Sequence, residues 1–206
     1  MLLCNGSSFK YRKFHIYYGE SGAVMAVLDT DYYTTPTNLT KGIIKFLEYV
    51  NEINWNSQYY DLDSCANQLN TKVPHNYITE EQDALITDWN GQRVWCNPPY
   101  SRGNVDRFVS RAIEQCKTSN KDVIMLLNVD VSTKWFKCIL NNAKAIVYIT
   151  SGRIKFVKTS ENTLKPDPLK PSMFVLFSST KKPDEFVRTY YCDLHLLQEA
   201  GNDNPQ

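Results

Sequence analysis

Asn97-Pro98-Pro99-Tyr100 concentrates more chemistry than any other stretch of the chain: an amide, a carbonyl turned outward and an aromatic face within four positions. Each proline fixes φ, lacks an N–H and keeps the residue before it out of the helical region, so the segment is a rigid elbow. Val94-Trp95-Cys96, immediately before it, is apolar and partly β-branched and reads as a buried strand. The elbow therefore stands at a strand's carboxyl end, the edge where open α/β sheets bind ligands. A planar base with an exocyclic amino group suits all three features. A proline turn that merely ends a strand is the plainer alternative, and the strand context and the neighbouring residues weigh against it.

Other polar groups fall at the ends of predicted elements. Tyr59-Tyr60-Asp61-Leu62-Asp63 reads as a strand ending in carboxylates and followed by the small residues Ser64, Cys65 and Ala66. Side chains alternate along a strand, so at most one of the two aspartates faces a pocket, and Asp63 at the end is preferred. Thr35-Pro36 opens a helix in which Ile43, Ile44, Phe46, Leu47 and Val50 recur at near-helical spacing. Thr35 is expected to cap that helix and Pro36 to sit in its first turn. Arg102, Arg107 and Arg111 are candidates for phosphate contacts, or simply solvated arginines.

The elements that must position these groups alternate. A helix carrying Val105, Phe108, Val109, Ala112, Ile113 and Cys116 on one face follows the elbow. Val123 to Leu127 is a continuous apolar run of the kind buried in parallel sheets. A short helix over Lys134 to Leu140, a strand over Ala145 to Ile149 and a strand over Met173 to Phe177 come next, and the tail after Asp184 has room for one more strand and a helix. This pattern predicts an α/β fold with a mostly parallel, doubly wound central sheet and flanking helices. Residues 25–200 are expected to form the domain, with 1–24 an extension and 201–206 a frayed tail.

Composition narrows the function classes. At 206 residues, 42% apolar and 22% charged, the chain suits one ordinary globular domain. A net charge of +1 means that any DNA-binding surface must come from local clustering of Lys and Arg. Six cysteines without a CxxC pair argue against zinc and for free thiols in a reducing compartment. No apolar run approaches a membrane span and no export signal is evident, so a cytoplasmic location is expected.

Asp83-Ala84-Leu85 through Asp88-Trp89 and on to Asn97-Pro98-Pro99-Tyr100 resembles the phage-type (Dam-like) DNA N6-adenine methyltransferases, over about residues 32–177. The resemblance implies a Rossmann-like methyltransferase fold, S-adenosyl-L-methionine as cofactor and double-stranded DNA as partner, with no metal, no membrane and no obligatory protein partner. It implies bacteriophage origin, action in the host-cell cytoplasm and a link to restriction-modification. On these residues, Asn97, Pro98, Pro99 and Tyr100 become catalytic. Thr35 and Pro36, at a helix start offering donors to the methionine carboxylate, become cofactor-binding together with Asp63 and Asp88, the latter facing the cofactor's adenine amine. Tyr100, Phe156 and Arg102 become substrate-binding, Phe156 through the match of Ser151 to Phe156 to an element that borders the target base. Asp63-Ser64-Cys65-Ala66, with Asn70 and Tyr77 further on, matches the family's replacement for the glycine-rich turn of other methyltransferases; no GxG pair is present here. Enzymes that methylate protein glutamine share the tetrapeptide, and RNA adenine methylation or a non-catalytic nucleic-acid-binding module are further alternatives.

Overall fold

The computed structural model describes residues 14–18, 24–28, 33–100, 103–158, 163–164 and 170–202. Phe14–Tyr18 (β1) and Val24–Leu28 (β2) pair antiparallel, so the stretch expected to be an extension is tied by backbone hydrogen bonds to residues 24–28. Tyr33–Thr34 (β3) leads into α1, Thr37–Tyr49, and then come β4 (Leu62–Asp63) and β5 (Arg93–Cys96). After the elbow follow α2 (Asn104–Ser119), β6 (Asp122–Asn128), α3 (Lys134–Asn142) and β7 (Ala145–Thr150). Val157–Lys158 (β8), Thr163–Leu164 (β9), Ser172–Ser178 (β10), Arg188–Asp193 (β11) and α4 (Leu194–Ala200) complete the described elements.

The central sheet has six strands in the order β11-β7-β10-β6-β5-β4. Strands β4, β5, β6, β7 and β11 run one way, and β10 alone runs against them, inserted between β6 and β7. The fold is therefore mixed α/β with a mostly parallel sheet, as the alternation of elements predicts.

Strand alternation sorts the core into two layers. Val123, Met125 and Leu127 of β6 join Val94 and Cys96 of β5 under α2 and α3, where Phe108, Val109, Ala112, Phe136 and Ile139 cover them. Ile124, Leu126 and Trp95 point the other way, toward Leu39, Ile43, Ile44 and Leu47 of α1 and Leu197 of α4. Both faces of β6 and β10 are thus buried, which explains their unbroken apolar sequences. Helices α1 and α4 meet at backbone contact: a Cβ at Gly42 would overlap the Leu197 carbonyl, and one at Gly201 the Asn38 carbonyl.

Two expectations need correction. The strand predicted from Tyr59 is confined to Leu62–Asp63, because Tyr60 turns aside to pack on Trp55 and Trp95 and its hydroxyl donates to the Thr40 carbonyl at 3.0 Å. The strand-helix alternation also fails between β4 and β5, where residues 64–92 form turns and no helix. Side chains take over the backbone's bonding there: Asn67 Oδ1 accepts from Leu69 N at 2.8 Å and Asp83 Oδ1 from Leu85 N at 2.9 Å, contacts that compete with helix formation.

Candidate active site

Parallel strands deliver their carboxyl ends to one edge, and that edge collects the chemistry. Asp63 ends β4, and beside it β5 ends at Cys96 and releases Asn97. The segment leaving the same edge of β7 passes Phe156 and pairs through β8 with β3, Thr34 opposite Val157, which sets Thr35 and the start of α1 against the same edge.

The elbow is anchored at its far end. Tyr100 hydroxyl lies 3.0 Å from Asn97 Oδ1 and 2.7 Å from the carbonyl of Leu126 on β6, and shares its single hydrogen between them. The residue is 39% exposed although its hydroxyl is buried, so the ring keeps an open surface. Burial, with the Cys96 and Cys65 thiols nearby, holds the phenol's pKa well above its ordinary value, so Tyr100 is a neutral donor here. Pro98 is buried and Pro99 exposed, so the first proline packs the elbow in place and the second faces outward.

Asp63 is almost wholly buried. Its Oδ2 accepts from the backbone N–H of Lys72 at 2.8 Å and its Oδ1 from that of Cys65 at 3.4 Å. Desolvation nonetheless pushes its pKa up to about 6, outweighing those hydrogen bonds and the Lys72 charge. Asp61 instead faces outward and pairs with Arg93, whose Nε lies 3.1 Å from both carboxylate oxygens. That pairing holds Asp61 below the usual carboxylate range, and Asp63 is the one of the two aspartates that turns inward.

Thr35 does not cap α1. Pro36 occupies the cap position with extended ψ, outside the first turn, and no side chain caps the helix start. The Thr35 hydroxyl is buried, the residue being 2% exposed, and has no hydrogen-bond partner. A buried hydroxyl left unsatisfied at an uncapped helix start is costly unless something binds there.

Asp88 is not brought to this cluster. It stands in the segment that enters β5 from its amino end, with its side chain 94% exposed and one oxygen 3.3 Å from Arg111 Nη2 of α2. Trp89 beside it is core. Phe156 is at the right edge but half-buried, packed against the core layer under α1. Arg102, with Ser101, lies outside the described residues, as does much of the loop 158–171. Among the described residues no helix is long and apolar enough to cross a membrane.

Sequence reasoning missed Lys72. It sits in the turn-rich segment after β4, without periodicity or motif to single it out, yet its Nζ contacts Thr34 Oγ1. Burial draws its pKa down to about 8, against the opposing pull of Asp63. Cys65 and Cys96 carry no signal in the sequence either, and their sulfurs lie 3.7 Å apart between Asp63 and the elbow.

A sequence profile described as "DNA N-6-adenine-methyltransferase (Dam)" matches residues 25–203. A DNA N-6-adenine-methyltransferase of Haemophilus phage HP1 (strain HP1c1) is 49% identical over 142 residues, covering 69% of this chain and 80% of that protein. A protein of the same description from Escherichia phage T1 is 33% identical over 147 residues, covering 64% of this chain and 60% of its own length. A profile spanning nearly the whole chain, over the described edge that carries Asp63 and the Asn97 elbow, leaves one assignment: the chain belongs to the DNA N-6-adenine-methyltransferase (Dam) family.

Proposed function

We propose that this chain methylates the N6 amine of adenine in double-stranded DNA at the Asn97 elbow, with S-adenosylmethionine as methyl donor held between Asp63 and the start of α1. The observation that carries the reading is the adjacency of β4 and β5, which sets a buried strand-end carboxylate beside the Asn-Pro-Pro-Tyr loop on one sheet edge. The parallel strands with helices on both faces support a Rossmann-like methyltransferase arrangement, whose ligands sit at that edge.

The residues present fit such a donor. Asp63 supplies a carboxylate for a polar or cationic group, and the unsatisfied Thr35 hydroxyl at the uncapped α1 start suits an anionic one. When bound, S-adenosylmethionine supplies a methyl group already activated on sulfonium.

The protein's task is then to position and polarise the amine. Adenine N6 is a poor nucleophile because its lone pair is delocalised into the ring. Asn97 Oδ1 has two acceptor positions and Tyr100 uses one, leaving the other for an amine hydrogen. The Pro98 carbonyl takes the second hydrogen. Both bonds strengthen as the amine becomes tetrahedral and cationic, which is where they accelerate transfer. Tyr100 stacks on the base, which leaves the duplex at a cost of a few kcal/mol.

Incubation of the protein with methyl-labelled S-adenosylmethionine and unmethylated duplex DNA, followed by nucleoside analysis, tests the reading. Label in N6-methyladenine is expected. Label in protein or RNA alone, or none at all, would overturn it.

A further inference from the structure

Beside Asp63 lies a charge that these roles leave unused. The Lys72 backbone N–H is committed to Asp63 Oδ2, which fixes where its side chain begins. The ammonium does not turn back to that carboxylate; it reaches across to the Thr34 hydroxyl on β3. Thr34 Oγ1 donates in turn to the Asn70 carbonyl at 3.1 Å, so toward Lys72 it is an acceptor. An ammonium carries three donors and a full charge, and a neutral hydroxyl satisfies only a part of that. One residue further on stands the buried, unpartnered Thr35 hydroxyl, at a helix start with no side-chain cap.

A half-buried cation, an unsatisfied hydroxyl and a helix start converge on a place for a small anion, next to a buried carboxylate suited to a cation. The α-carbon of an amino acid presents this pair of opposite charges within one small group. We propose that Lys72 is the specificity-determining residue for the methionine carboxylate of the methyl donor, its ammonium acting with the Thr35 hydroxyl while Asp63 faces the amino group. The proposal rests on the reading of S-adenosylmethionine as the donor and goes beyond it by naming how its amino-acid end is told apart from a plain amine.

Titration calorimetry on the whole 206-residue chain, with S-adenosylmethionine and decarboxylated S-adenosylmethionine as the two probes, tests it. The parent protein is expected to prefer the carboxylated ligand by roughly ten- to hundredfold, the size of one hydrogen bond to a charged group. Lys72→Met should abolish that preference by weakening the carboxylated ligand alone, and Lys72→Arg should restore part of it. Unchanged binding of the decarboxylated ligand by Lys72→Met is the fold control. A preference kept by Lys72→Met, an equal weakening of both ligands, or no preference in the parent would overturn the proposal while leaving the methyl-donor reading intact. A parent that binds neither ligand would overturn that reading itself.

Discussion

Tyr100 hydroxyl, 3.0 Å from Asn97 Oδ1, also donates to the Leu126 carbonyl at 2.7 Å and so ties the elbow to the neighbouring strand β6. The hydroxyl therefore serves geometry, and the ring serves the base. Tyr100→Phe keeps the ring and strands the Leu126 carbonyl, so it should lose roughly 1–2 kcal/mol of stability while turnover stays within about tenfold. Tyr100→Ala removes a stack worth roughly 1–3 kcal/mol and should weaken DNA engagement more than cofactor binding. Thermal melting and steady-state rates on the two variants separate these effects. A Tyr100→Phe protein that melts with the parent would show the bond to Leu126 to be idle.

Asn97→Ala removes an acceptor that acts most strongly as the amine becomes tetrahedral. Turnover should fall by a factor on the order of a hundred or more, with cofactor affinity nearly unchanged. Single-turnover rates beside cofactor titrations decide it, and a variant as fast as the parent would refute the proposed polarisation.

Asp63 predicts opposite changes in stability and binding. Its pKa is raised in the folded protein to about 6, so its contribution to stability is full below the unfolded value near 4 and is lost as pH rises through 6. Asp63→Asn removes that cost: the variant should be more stable than the parent at pH 7.5, by on the order of 2–3 kcal/mol, and show little gain at pH 4. The same substitution should weaken S-adenosylmethionine binding more than DNA binding. Melting curves at the two pH values test the first half and ligand titrations the second.

Asp88 is expected to be silent. With its carboxylate in solvent beside Arg111, Asp88→Ala should leave cofactor affinity within about twofold and stability within roughly 0.5 kcal/mol, as exposed ion pairs contribute little. A tenfold loss of cofactor affinity would return Asp88 to the site.

Periodicity and rigid residues account for the parts of the molecule that were legible in the sequence. The runs at Val123 to Leu127 and Met173 to Phe177, the amphipathic α2 and the proline elbow all carry local signals, and each stands where those signals put it. Asp63 is separable from Asp61 by alternation alone. Lys72 and Asp88 are not legible, because residues 64–92 are organised by side-chain-to-backbone turns with no period, and only tertiary packing decides which charge turns inward. The Thr35 cap fails for a related reason: the motif Thr-Pro is compatible with a cap, but β3 is held by β8 in a geometry that turns the hydroxyl away from the helix amides.

The reversed strand β10 has a bearing on how the molecule can be cut. β6 and β7 are not neighbours; both hydrogen-bond to β10, whose residues arrive only after position 171. The candidate reacting groups all precede residue 157, yet a fragment ending there would leave two long apolar strand edges facing an empty slot, a template for pairing with other chains. The last stretch of the chain contributes no group to the proposed chemistry and is nonetheless its scaffold, so shortened versions are expected to aggregate before they can be assayed.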